Sequence, residues 1–169
     1  MSSPIVEIMD TTLRDGEQTT GVSFSRSEKL SIFRLLVEEL HVPRVEVASA
    51  RVSTGEFDTV KHICDWARNN NHIDKVEVLG FIDGGISADW VRNTGAKVIN
   101  LLCKGSERHC RQQLKKTPEE HISDVKFAIS DAVRKGLKVN LYLEDWSNGI
   151  AASPDYVFSL VDALRNEPV

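Results

Sequence analysis

Four stretches of the chain repeat one plan, and that plan leaves few folds open. Pro43–Ala50 (PRVEVASA), Asp74–Phe81 (DKVEVLGF), Ala96–Cys103 (AKVINLLC) and Leu137–Glu144 (LKVNLYLE) each carry a basic residue followed by valine. Each then runs on through β-branched and aliphatic residues. Runs of this kind suit strands covered on both faces, as in a parallel sheet. Ile5–Met9 (IVEIM) reads as an earlier member of the series.

Helix patterns with clear start signals separate these runs. Ser25 and Glu28 match a capping box ahead of an apolar face formed by Ile32, Phe33, Leu35, Leu36 and Leu40. Ser53 and Glu56 repeat the device before Phe57, Val60, Ile63, Cys64 and Ala67. Thr117, Pro118 and Glu120 open a third helix, with Gly136 as its stop, and Ser153 and Pro154 open the last. A shorter helix is expected from Ser87.

Strand alternating with helix five times over means a parallel α/β architecture. Two forms compete, an open doubly wound sheet and a barrel. No G-x-G-x-x-G or Walker-type loop follows the first strand, which removes the best support for a nucleotide fold. A full (β/α)8 barrel needs about 250 residues. A chain of 169 residues therefore supplies, as a barrel, five strand–helix units of the eight.

Composition narrows the partners. With 21 Lys+Arg against 25 Asp+Glu the net charge is −4, and no basic cluster is present. Nucleic acid and anionic membrane both need a concentrated positive field, so neither is expected. No apolar run approaches the roughly 20 residues of a membrane span, and the N-terminus lacks the marks of a signal peptide. The expectation is a cytoplasmic protein with Cys64, Cys103 and Cys110 reduced. Cys103, His109 and Cys110 match no common zinc spacing.

In parallel α/β folds the reactive groups gather where strands end. Arg14, Asp15 and Gln18 follow the first strand; Leu79 and Phe81 close the third, with Asp83 beyond; Tyr142, Glu144 and Asp145 finish the fifth. Asp15 is a hard oxygen donor suited to Mg²⁺, Mn²⁺ or Zn²⁺. Arg14 offers a fixed fork of donors to a carboxylate or a developing oxyanion. Glu144 suits acid–base work or the orientation of a hydroxyl. Leu79, Phe81 and Tyr142 would make an apolar wall for a small side chain. Taken singly, each has a plain alternative: a surface ion pair, a solvated carboxylate, a core tyrosine.

The run DTTLRDGEQTTGVSFS closely resembles the opening signature of the 2-isopropylmalate, homocitrate and citramalate synthases, and EVASARVS, GAKVINLL and LYLEDWSNG extend the likeness along nearly the whole chain. Tyr142, Glu144 and the leucines look most like an (R)-citramalate synthase. The resemblance implies an incomplete TIM barrel, residues 1–169 forming its N-terminal portion, that condenses acetyl-CoA with a 2-oxo acid. By the same resemblance Asp15 is the metal ligand, Arg14 polarises the substrate, Glu144 is the active-site glutamate, and Gln18 lies near the oxo acid. The side-chain wall becomes Leu79, Phe81, Leu102 and Tyr142. Aligning the strand repeats would instead turn Leu101 inward, so a bulge between Leu101 and Leu102 is expected.

The likeness stops short in one respect. The family's metal site takes a His-x-His pair from a late strand and its substrate carboxylate meets a threonine from the sixth, and the five histidines here show no such spacing. The expectation is a chain that is silent alone and that self-associates as a homodimer or joins a complementing C-terminal part. 2-Isopropylmalate or homocitrate synthesis, and a non-catalytic module that kept only the fold, are the alternatives.

Overall fold

The computed structural model describes residues 6–169. Five strands, β1 (Met9–Asp10), β2 (Arg44–Ser49), β3 (Val76–Phe81), β4 (Val98–Lys104) and β5 (Lys138–Glu144), form one sheet in the order in which they occur, every pairing parallel. Between them run α1 (Arg26–Arg34), α2 (Thr54–Asn69), α3 (Ile86–Thr94) and α4 (Pro118–Arg134), and α5 (Trp146–Ala152) and α6 (Pro154–Leu164) follow β5. A doubly wound sheet reverses its strand order at a switch point, and none occurs here. Sequential order with right-handed crossovers places every connecting helix on one face and curls the sheet into part of a TIM barrel.

Side-chain alternation divides the strands between two environments. Val45, Val47, Val76, Val78, Ile99, Leu101, Cys103 and Val139 join the helix residues Phe33, Val60, Ile63, Val91, Val125, Ile129 and Leu160 in a continuous apolar core. The opposite, concave face carries Glu46, Glu77, Asn100 and Asn140, the first three of them buried. They are tied by hydrogen bonds that cross the sheet.

The capping boxes at Ser25–Glu28 and Thr117–Glu120 form in both directions. At Ser53 only half forms: its hydroxyl accepts the Glu56 N–H, while the Glu56 carboxylate is drawn away to Lys29. Ser153 gives no side-chain cap, and Pro154 alone marks the start of α6. The expected first strand at Ile5–Met9 is corrected: the strand is Met9–Asp10, and Ile5 lies outside the described residues. A wide π-turn at Leu35–Glu39 ends α1, so Leu36 and Val37 are buried while Leu35 and Leu40 face outward. The expected bulge between Leu101 and Leu102 is absent, since β4 pairs without interruption with both neighbours. The bulge lies in β2, between Glu46 and Ala48.

Asp83 proves to be a local brace. Its carboxylate accepts the Ser87 N–H and hydroxyl at 3.0 and 2.8 Å and meets Arg51 at 2.8 Å. Burial works against its charge, but the Ser87 bonds and the Arg51 guanidinium outweigh it and hold the carboxyl below the usual carboxylate range. A depressed folded value stabilises the fold above the unfolded value and is lost as pH falls through the folded one. Asp83→Asn should therefore cost about 1 kcal/mol at neutral pH, as losses at helix starts do. The gap between variant and parent should close as urea melts are taken to acid; a gap that persists there contradicts the assignment.

Candidate active site

The turn after β1 is built from the backbone outward. The carbonyl of Thr11 accepts the N–H groups of Arg14, Asp15 and Gly16 at 3.1, 2.8 and 3.2 Å, which wraps Leu13–Gly16 tightly over the strand end. Leu13 is fully buried and anchors the turn, leaving its polar neighbours on the rim. Arg14 donates from Nε to Glu46 Oε2 at 2.5 Å and from Nη1 to Asp15 Oδ1 at 2.8 Å. One cation thus joins a fully buried carboxylate to one that is 60% exposed.

From Glu46 the network continues across the concave face. Asn100 Nδ2 donates to Glu46 Oε1 at 2.7 Å and lies 3.0 Å from the Tyr142 hydroxyl, which in turn donates to Met9 Sδ at 3.2 Å. Asn140 donates to Asn100 Oδ1 at 2.8 Å, and Arg44 grips Glu77 through two nitrogens at 2.6 and 3.0 Å. Burial, with Glu46 close by, pushes the Tyr142 phenol up from its ordinary value, so it serves as a neutral hydroxyl. Low surrounding polarity strengthens such a connected set and makes any orphaned member costly.

Above this polar floor lies the apolar wall. Phe81 pairs in register with Leu102, and Leu102 with Tyr142; Leu79 sits one layer lower beside Asn100. Leu101 belongs to the helix-facing core and Leu102 to the concave face. Two register positions further along, Lys104 and Glu144 meet in a close ion pair. Gln18 lines a cleft with Arg14, Glu17, Ala48, Ser49 and Glu56. The structure therefore brings Arg14, Asp15 and Gln18 together at one end of the sheet, and Leu79, Phe81, Leu102, Tyr142 and Glu144 along β3 to β5.

Other rim groups are committed elsewhere. Glu17 gives one oxygen to the Phe24 N–H at 2.9 Å and the other to Lys29 at 2.7 Å. Asp145 accepts from Asn148 and Ser106 at 2.5 and 2.8 Å, and those bonds hold its carboxyl below the usual range. Cys103 faces the helix layer, where His121 lies 3.6 Å away, and burial pushes its thiol up to about 12. Among the described residues no group of three or more His, Cys, Asp or Glu side chains is placed to hold a metal ion. Asp15 fits such an ion as a single exposed oxygen donor, with the remaining coordination to come from elsewhere.

Sequence reasoning missed Glu46, Asn100 and Lys104, which orient the residues it did find. A signal was present: a lone polar residue inside each apolar run, at Glu46, Glu77, Asn100 and Asn140.

Sequential parallel strands, helices on the outer face and a polar network inside the curl define part of a (β/α) barrel, and the candidate residues lie toward the rim where such folds carry their sites. A family profile described as HMGL-like matches residues 5–167, and the chain belongs to that family. It is 34% identical over 163 residues to a probable 2-isopropylmalate synthase of Ignicoccus hospitalis, covering 94% of this chain and 38% of that protein. It is 36% identical over 142 residues to an (R)-citramalate synthase of Methanocaldococcus jannaschii, covering 83% of this chain and 28% of that one. Among solved structures, the HMG-CoA lyase of Bacillus subtilis superposes with a TM-score of 0.64 at 19% identity, over 95% of this chain and 54% of that chain, which establishes the shared fold. The chain thus spans well under half the length of these synthases. No helix among the described residues is long and apolar enough to cross a membrane.

Proposed function

We propose that these residues form the first five (β/α) units of an acyltransferase that condenses acetyl-CoA with a 2-oxo acid, pyruvate being the substrate and (R)-citramalate the product. The observation that carries this reading is the Arg14 guanidinium, held by Glu46 and Asp15 at the strand ends in line with the concave wall. Arg14 keeps a donor side free to polarise a 2-oxo group and to receive the alkoxide as it forms. A divalent cation, when bound with Asp15 among its ligands, supplies Lewis-acid polarisation of the same oxygen. Gln18 lies beside Arg14, where the oxo acid would sit. Glu144, oriented by Lys104, faces the same concavity as acid–base or hydroxyl-orienting group.

Phe81, Leu102 and Tyr142, side by side with the tyrosine ring fixed through Asn100, favour a methyl group over a larger side chain. The relatives named as 2-isopropylmalate and citramalate synthases support the reaction class and leave the oxo acid to this wall.

The test joins this chain to a polypeptide supplying the remaining barrel units, including a His-x-His pair. Alone, the 169 residues should give no turnover with acetyl-CoA, pyruvate and Mn²⁺. The assembled pair should turn over, prefer pyruvate to 2-oxoisovalerate and 2-oxoglutarate, and lose activity on Asp15→Ala. Leu102→Ala should shift preference toward 2-oxoisovalerate by about tenfold, the scale of small volume changes in an apolar pocket. A native preference for 2-oxoglutarate overturns the assignment of the wall.

A further inference from the structure

A lysine that is 1% exposed calls for an explanation, because a buried ammonium is tolerated only when paired. Lys29, in the first turns of α1, lies 2.7 Å from Glu17 Oε2 and 2.5 Å from Glu56 Oε1. Glu17 belongs to the turn that carries Arg14, Asp15 and Gln18, and its other oxygen ties that turn to the Phe24 N–H. Glu56 belongs to the first turn of α2. Both carboxylates also line the cleft beside Arg14 and Gln18.

From this geometry we infer that Lys29 is a positioning residue, a hidden clamp that holds the Asp15–Gln18 turn in place and keeps its cleft open to an anionic ligand. Without the ammonium, Glu17 and Glu56 face each other with like charge beside the same cleft. With it, both of those charges are offset at close range, so less negative field opposes the pull of Arg14 on an incoming carboxylate. Lys29 touches no ligand; it acts through Glu17. The ligand class, a small 2-oxo acid, rests on the function proposed above, whereas the clamp rests on contacts within this chain.

Two variants separate the clamp from general stability. Glu17→Gln ends the ion pair with Lys29 and keeps an acceptor for the Phe24 N–H; Glu56→Gln ends the other pair and leaves Glu17 in place. Amide hydrogen exchange on the 169-residue chain should show residues 16–24 exchanging about tenfold faster in Glu17→Gln, with β4 and α4 unchanged, as expected for a local opening. Glu56→Gln should leave that segment near the parent rate. Equal effects of both variants on residues 16–24, or none from Glu17→Gln, overturn the clamp. Pyruvate serves as the binding probe, followed by NMR at the Arg14 and Gln18 amides. Its affinity should fall about tenfold in Lys29→Met, which loses the positioning of the turn and the offsetting charge together, with exchange in β4 and α4 checking that the variant is folded. If the parent chain shows no pyruvate response, the oxo-acid reading fails while the exchange pattern still decides the clamp.

Discussion

Replacing Arg14 by methionine should lower the stability of the chain by about 3 kcal/mol, because it strands a carboxylate that water cannot reach. Glu46 has no exposed side-chain surface, and its partners are the Arg14 guanidinium at 2.5 Å and the Asn100 amide at 2.7 Å. Removing the cation leaves a charge facing one neutral donor. The companion change Glu46→Gln removes that charge and keeps its shape. The double variant should therefore recover at least half of the loss, the sign of a coupled pair rather than two independent sites. Urea unfolding of the parent, both single variants and the double measures this directly. A double variant as unstable as Arg14→Met alone, or an Arg14→Met chain as stable as the parent, contradicts the arrangement. In the assembled enzyme Arg14→Met should also cost at least about a hundredfold in turnover, the scale seen when an oxyanion donor is lost.

Gly149→Ala should be almost as damaging, for a steric reason. A Cβ at Gly149 would lie 2.3 Å from the Gly105 carbonyl oxygen and 3.1 Å from Ser106 Cα, both backbone atoms that cannot swing aside. Gly105 also donates its N–H to the Glu144 carbonyl at 2.7 Å, so pushing α5 away from the loop after β4 disturbs the rim residue itself. The expected loss is about 3 kcal/mol, the upper part of the range for overpacking. Gly55→Ala is the control: its Cβ would meet only Ser53 Oγ at 3.7 Å, an ordinary contact. It should be neutral or stabilising by about 0.5 kcal/mol through the entropy of the unfolded chain. Comparable losses at the two glycines would show that the α5 contact is not the cause.

The strand–helix alternation was readable in sequence because each element carries its own signal. Ser25–Glu28 and Thr117–Glu120 satisfy their caps within four residues, and the Val-rich runs at β2 to β5 need only burial on both faces to be recognised. The helix α5 was not read, since residues 146–152 carry Ser, Asn and Gly where a helix pattern would carry apolar spacing. Asp145, at φ 66°, starts it from a backbone conformation that spacing does not reveal. The site residues of the turn, Arg14, Asp15 and Gln18, stood out because their local run is unusual. The roles of Glu46, Asn100 and Lys104 did not, because each is one polar residue in an apolar run and its partner lies on another strand.

Local chemistry, carried by residues a few positions apart, was enough to determine strands β2 to β5, the helices other than α5, their order and the parallel class of the sheet. Which face of each strand turned inward was another matter. Strands buried on both sides show little alternation, and the strand repeats placed Leu101 where the sheet register places Leu102. Only the curled sheet separates a helix-facing side from a concave one, gathers Glu46, Asn100 and Tyr142 into one network, and buries Lys29 between carboxylates 12 and 27 positions away. Those contacts depend on distances that close in three dimensions and leave no periodic trace along the chain.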